Sequence, residues 1–452
     1  MIGARYDDAR DPKMHAGVGA HVGNATASCP TSPRYLQHFA SPLLPSRDGD
    51  AIIESKNCWR AYHLWPAHKT AKTCTSPFAA ASSSADPPIA TCADLLASRY
   101  GKLRHIRLVL GITSAPDKWG AKRRDGIRKT WFRFHGVGRW TLACFVVGRI
   151  GVKKKDLAKL DAEAAVHGDV IFLRGTQDGR GPFVTISKLH AWFRLASELL
   201  GLIDRGPDAA SMEDEAALLK PDSPRKPITT GPLSASVRHI AKVDDDTFIH
   251  LPVMQSDLDS LHCVNNLYYG IFSHSGYNPI TFTKCGFDYG PAGGRYRRYN
   301  CANATGKAHG AAHPPFPWTS GALMLASTPL IVRLASDPAI GEFVRRSADP
   351  TLPHQPDMKP GHNTDEDVAM GFWLSRFHRS AVAPITYVRI NERLTNLGCR
   401  MHSGLYRPPR NHSVGSHFVK SAGGMEYVWG LLVNGDKHNV TKCHIMTGDY
   451  RL

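Results

Sequence analysis

The run Asp244-Asp245-Asp246 places three carboxylates directly after the apolar segment His239-Ile240-Ala241-Lys242-Val243. Like charges crowded at one strand end repel unless a cation neutralises them, so the pattern points to a site for a hard metal ion. Oxygen ligands suit Mn²⁺ or Mg²⁺, and such an ion can bridge a diphosphate and stabilise the charge that develops as it leaves. A solvated acidic turn or a helix N-cap is the alternative. Phe248-Ile249 restores apolar character, so the triplet lies between hydrophobic segments rather than inside a polar loop.

A second acidic group, Thr364-Asp365-Glu366-Asp367, opens the helix-compatible segment Val368 to Leu374. Thr364 or Asp365 could cap that helix. Alternatively a carboxylate at this helix start could act as a general base and take the proton of an attacking hydroxyl. In the basic stretch Arg123 to Trp131, Arg124 and Arg128 lie four apart and share one face of a helix. They could meet nucleotide phosphates, or form a solvated basic face.

These groups need a scaffold, and the apolar periodicity supplies one. His105 to Ile112, Trp140 to Gly148, Asp169 to Leu173 and His239 to Val243 read as buried strands, and 123–131, 153–167 and 183–200 as helices. This alternation predicts an α/β domain with a mainly parallel sheet flanked by helices. The triplet then sits at a strand's C-terminal end, where open α/β sheets bind their ligands. Residues 1–100 mix Gly, Pro, Ser, Ala and His without sustained period and read as a low-complexity tail or stem. The folded domain is expected over 101–452, with a surface insertion at about 204–234 and a second irregular segment at 283–315.

Lys and Arg number 56 against 39 Asp and Glu, a formal charge of +17 that favours anionic partners such as nucleotides, nucleic acid or phospholipid head groups. The cations are spread along the chain rather than gathered on a basic helix, which argues against nucleic acid. None of the ten cysteines forms a C-x-x-C pair, so a zinc ribbon is not indicated, whereas disulfides are compatible with the even count. Four N-x-[ST] sequons begin at Asn24, Asn303, Asn411 and Asn439 and would accept glycans in a secretory compartment. No apolar run reaches the roughly 18 residues that a membrane span needs, and the N-terminus lacks a signal-peptide pattern. The chain is therefore expected to work without an anchor, or to have one upstream of this sequence.

Taken in order, several segments resemble the β-1,3-galactosyltransferase-like family, glycosyltransferase family 31. Arg124-Asp125-Gly126-Ile127-Arg128-Lys129-Thr130-Trp131 is similar to the family's R-x-x-I-R-x-T-W, and Phe145-Val146-Val147-Gly148 to its F-L-L-G strand. Glu163 with His167 to Ile171, then Thr185, Lys188 and Trp192, resembles E-x-x-x-Y-x-D-I-I and the T-x-K helix. Lys242 to Phe248 resembles K-x-D-D-D-x-F, and Pro314 to Ala322 resembles Y-P-P-Y-C-S-G-G. Glu366-Asp367-Val368 with Gly371 resembles E-D-V-x-x-G, and His417 with Gly424-Met425 and Trp429 resembles the closing V-H-x-x-x-P-E-E-M-x-x-x-W. Trp318, Thr319 and Ala322 depart from the pattern, as does Leu173 to Asp178 where the family has D-F-x-D-S-Y.

The resemblance implies a GT-A fold, a single Rossmann-like domain with the DxD motif at a strand end. It implies an inverting hexosyltransferase that moves galactose or N-acetylglucosamine from a UDP-sugar to a hydroxyl of a glycan, glycoprotein or glycolipid, forming a β-1,3 linkage. Asp246 would then be the principal Mn²⁺ ligand, with Asp244 beside it and His417 as an additional ligand. Asp244 and Asp245 would meet the donor, Asp367 would be the base, and Arg124 and Arg128 would lie near the diphosphate. Location in the Golgi lumen follows by the same implication. Two other classes share these residues: a non-catalytic GT-A-like module that holds nucleotide or glycan, and a metal-dependent phosphohydrolase.

Overall fold

The computed structural model describes residues 51–54, 86–178, 184–203, 236–261, 264, 266–278, 283–289, 295–297, 313–348, 366–376, 385–399 and 406–447. In chain order the strands are β1 (Ala51–Glu54), β2 (Leu108–Thr113), β3 (Thr141–Ile150), β4 (Val170–Gln177), β5 (His239–Asp244), β6 (Phe248–Ile249), β7 (Leu267–Asn278), β8 (Thr283–Tyr289), β9 (Arg295–Arg297), β10 (His313–Ser327), β11 (Thr386–Arg389), β12 (Leu394–Asn396) and β13 (Gly415–His417).

Among the described residues these build a mixed sheet of ten strands in the order β1-β11-β7-β10-β5-β2-β3-β4, extended by β8 and β9 beside β7, and a small sheet β12-β13-β6. β5, β2, β3 and β4 run parallel to one another, whereas β10 runs antiparallel to both β5 and β7. The protein is thus α/β with a mainly parallel mixed sheet flanked by helices, compatible with a Rossmann-like fold.

The strands read as unbroken apolar runs because both faces of the sheet are covered. Along β2, Val109 packs into one core with Trp192, Phe193 and Phe372, while Leu108, Leu110 and Ile112 pack into the other with Ile127, Met254 and Met425. Gly111 is a packing requirement, since a Cβ there would lie 2.2 Å from the Trp192 indole. That indole in turn donates to the Ala241 carbonyl at 2.9 Å, pinning the helix Val184–Leu199 onto β5. The helix Lys118–Lys129 starts where Asp117 accepts from the Trp119 and Gly120 amides, and the helix Lys154–His167 stops at Gly168 with φ of 64°.

Three expectations need correction. The folded body begins before 101: Thr91 caps the helix Cys92–Leu96, Leu95 and Leu103 are fully buried, and Cys92 is disulfide-bonded to Cys144 in β3. Within 283–315, β8 and β9 extend the sheet, so hydrogen bonding gives order to a stretch whose Gly and Pro suggested irregularity. The strand expected from His105 is β2, which begins at Leu108. The expected insertion at 204–234 lies outside the described residues. No helix among the described residues is long and apolar enough to cross a membrane.

Two buried histidines give the fold an acid sensitivity. Burial, with the nearby positive charge of Arg194, pulls the His190 pKa down from 6.5 to about 4, against one backbone hydrogen bond at Leu334. Burial and Arg238 take His239 to about 3. Unfolded, each ring takes a proton near pH 6.5, whereas the folded protein refuses it until the lower value, so stability falls as pH drops below 6.5. For His190 the loss levels off near pH 4 at about 3 kcal/mol. His190→Gln is expected to flatten this part of the curve, read as urea midpoints against pH; an unchanged slope between pH 4 and 6.5 would refute the assignment.

Candidate functional site

From β2 the chain builds outward through β3 and β4, then returns to place β5 on the other side of β2. The C-terminal ends of β2 and β5 therefore flank the point where strand order reverses, the place at which open α/β sheets form a crevice for ligands. The acidic triplet enters this crevice directly from β5.

The turn that follows β5 divides the triplet. Asp244 and Asp246 face His417, and one ligand atom from each of the three lies within 4.8 Å of the others. Asp245 turns the other way and accepts from Ser114 Oγ at 2.7 Å and Arg123 Nη1 at 2.8 Å. Burial holds the Asp245 carboxyl above its ordinary pKa in spite of Arg123 and Ser114. Asp245 thus ties the end of β5 to β2 and the following helix, and the metal-compatible set is Asp244, Asp246 and His417.

His417 is brought in by the small sheet, where β13 pairs antiparallel with β6 and parallel with β12. The Val419 amide also donates to the Asp246 carbonyl at 2.8 Å. His417 Nδ1 lies 2.9 Å from Asn396 Oδ1. That acceptor keeps a proton on Nδ1, so Nε2 is the ring nitrogen that faces the aspartates. Nε2 is 3.3 Å from Asp246 Oδ1 and 3.7 Å from Asp244 Oδ2. Burial alone would raise the Asp246 pKa, but the hydrogen bond and charge of His417 and the ammonium of Lys420 hold it well below the usual carboxylate range. Two carboxylate oxygens and one imidazole nitrogen make a set that could hold a divalent metal ion.

Asp367 reaches the same crevice by a packing device. In the helix Glu366–Arg376, Gly371 lies so close to β10 that a Cβ would sit 2.6 Å from Trp318 Cβ and 2.7 Å from the Pro317 carbonyl oxygen. Asp367, one turn earlier, is consequently carried toward β10 as well. A Cβ on Gly321 of β10 would meet Lys242 Nζ at 2.7 Å, Asp367 Oδ1 at 2.9 Å and Asp244 Oδ2 at 3.1 Å. Base candidate, metal-ligand candidate and a buried ammonium thus converge on the gap left by one missing side chain.

The sequence marks Lys242 only as a motif residue and does not mark Lys420. Lys242 is buried and donates to Asp244 Oδ1 at 2.6 Å, Glu366 Oε1 at 3.0 Å and the Gly321 carbonyl at 3.1 Å. Burial disfavours its charge, yet Asp244, Glu366 and Asp367 together keep its pKa above the ordinary lysine value. It sets Asp244 and the helix bearing Asp367 against each other. Lys420 is ion-paired with Asp246. The signal available beforehand was the position of Lys242 inside an apolar run, where a charge needs partners.

The arginine expectation shifts by one residue. Arg124 is buried and makes a two-point ion pair with Glu163, at 2.8 and 2.6 Å, while also donating to Ser114 Oγ and the Ala115 carbonyl. Arg128 is held by Asp169 and Glu163. Both guanidiniums are committed to joining helices and strands, so neither is placed to take a diphosphate. Arg123, partly exposed and bound to Asp245, is the arginine at the crevice.

No protein-family model matches the chain. The chemical reading of the site therefore rests on its geometry and on the motif resemblance.

Gly321→Ala tests the convergence directly. The new methyl meets the tips of three charged side chains rather than backbone, so they shift while the fold persists. Expected are a melting temperature close to wild type and a loss of activity approaching about 10²-fold, the usual scale for misplacing reacting groups by about 1 Å. Full activity in this variant would show that the gap has no functional use.

Proposed function

We propose that this protein is an inverting, metal-dependent hexosyltransferase of GT-A type, moving galactose or N-acetylglucosamine from a UDP-sugar to an acceptor hydroxyl on a glycan, glycoprotein or glycolipid, with a β-1,3 product. The observation that carries the reading is that Asp244, which forms a metal-compatible set with Asp246 and His417, also meets Asp367 at the gap beside Gly321, at the reversal point of the sheet.

A single displacement needs a base on the acceptor side and charge stabilisation on the leaving side. Asp244, Asp246 and His417 would hold Mn²⁺ or Mg²⁺, which supplies electrophilic stabilisation of the departing UDP. Asp367 takes the acceptor's proton as its oxygen attacks the anomeric carbon from the face opposite the diphosphate. Lys242 keeps Asp244 and Glu366 in register, and Arg123 braces Asp245 beside the donor. The Cys92–Cys144 and Cys399–Cys443 disulfides support an oxidising compartment, in keeping with the Golgi lumen.

The test is a panel of UDP-sugars and acceptors with Mn²⁺, reading UDP release and glycosylated product, with and without EDTA. Metal-dependent product from one donor–acceptor pair supports the reading, and UDP release that ignores EDTA contradicts it. A second reading, a GT-A-like module that binds nucleotide or glycan without turnover, draws on the Lys420–Asp246 pair, which already balances one carboxylate. Mn²⁺-dependent UDP binding with no product across the panel would favour that module.

A further inference from the structure

Lys420 stands where a metal would compete with it. Its ammonium pairs with Asp246 Oδ2, while Asp246 Oδ1 faces His417 Nε2 at 3.3 Å. A cation bound by Asp244, Asp246 and His417 adds positive charge beside that ammonium, and the two repel through a largely buried carboxylate. Lys420 also has somewhere to go. Its side chain is 31% exposed, and it lies over the Phe418 ring, 4.4 Å from the centroid.

The ring is held in place. Phe418 stacks on His417 at 4.2 Å and on Tyr406 at 6.1 Å, and its backbone takes a φ of 58°, a conformation that side-chain-bearing residues adopt only when their surroundings enforce it. The backbone beside Lys420 is thus fixed by Phe418 and by the Val419–Asp246 hydrogen bond, while the long lysine stem remains the movable part.

We propose that Lys420 is a resident counter-cation of Asp246 which yields that carboxylate to the divalent metal and transfers its ammonium to the leaving diphosphate of the donor. The proposal rests on the metal-dependent transferase reading. Lys420 stays protonated throughout and neither forms nor breaks a covalent bond. Its effect is electrostatic: one positive charge serves Asp246 before loading and the phosphate oxygens afterwards.

Such a device predicts opposite signs for two binding steps. In Lys420→Met, Mn²⁺ alone should bind roughly ten-fold more tightly, because the competing cation is gone. UDP at saturating Mn²⁺ should bind about ten- to a hundred-fold more weakly, because a charged hydrogen-bond donor is lost. Lys420→Arg should restore both values toward wild type. Titration calorimetry with MnCl₂ and then UDP measures the two steps, and thermal melting checks folding.

Unchanged or weaker Mn²⁺ binding in Lys420→Met overturns the counter-cation role, and unchanged UDP binding overturns the diphosphate contact. Wild-type behaviour in both variants removes this proposal and leaves the transferase reading standing. Absence of Mn²⁺ binding in all three proteins removes both.

Discussion

Asp367→Asn is expected to lower sugar transfer by about 10²–10⁴-fold, the usual contribution of a positioned general base, while Mn²⁺-dependent UDP binding stays essentially at its wild-type level. Asn keeps the size of the side chain and its place on the helix Glu366–Arg376 but has no oxygen basic enough to take the acceptor's proton. The helix is positioned by Gly371 against β10 and by the Glu366–Lys242 ion pair, neither of which the change removes. Single-turnover transfer and UDP calorimetry on the same preparation separate chemistry from binding. A variant that transfers at the wild-type rate would remove Asp367 from the mechanism, and one that no longer binds UDP would make it part of the donor site.

Asp246→Asn should fail earlier in the cycle. Asp246 provides the carboxylate that His417 and Lys420 both face, so its loss weakens the metal set and the charge balance together. Transfer is expected to fall by at least about 10³-fold, consistent with the several kcal/mol a metal contributes to a developing negative charge. Mn²⁺ and UDP affinity should fall with it. Manganese paramagnetic resonance reads the free ion directly. Retained Mn²⁺ affinity would move the metal away from Asp246 and leave the triplet a structural acidic turn. The contrast between the two variants is the strongest discriminator: one keeps the donor and loses the reaction, the other loses both.

Much of this was legible from the chain because it depends on local pattern. β-Branched apolar runs marked β2, β3 and β5, and three carboxylates after a buried strand marked the crevice. Spacing also put Arg124 and Arg128 on one helical face correctly. Their partners could not be read, since Glu163 and Asp169 lie 39 and 41 residues further along the chain and meet them only through tertiary packing. For the same reason Lys242 appeared as a motif residue and Lys420 not at all. The division of the triplet, with Asp245 turned to Ser114 and Arg123, depends on the turn after β5, which side-chain type does not specify. Helix 92–96 was missed because a disulfide and a capping box stabilise a segment too short to show a period.

The small sheet that carries β13 has a consequence for how the protein is made. Asp246 and Lys420 are 174 residues apart, and the Cys399–Cys443 bridge encloses the stretch bearing His417 and Lys420. Chains fold largely in the order of their synthesis, and a contact across such a distance forms only after the intervening loop has closed. During translation the two aspartates at the end of β5 therefore exist long before either residue that will face them. A divalent ion has no complete set of ligands to bind until the last segment docks. On the proposed reading, metal loading becomes a report that the segment carrying β13 has docked.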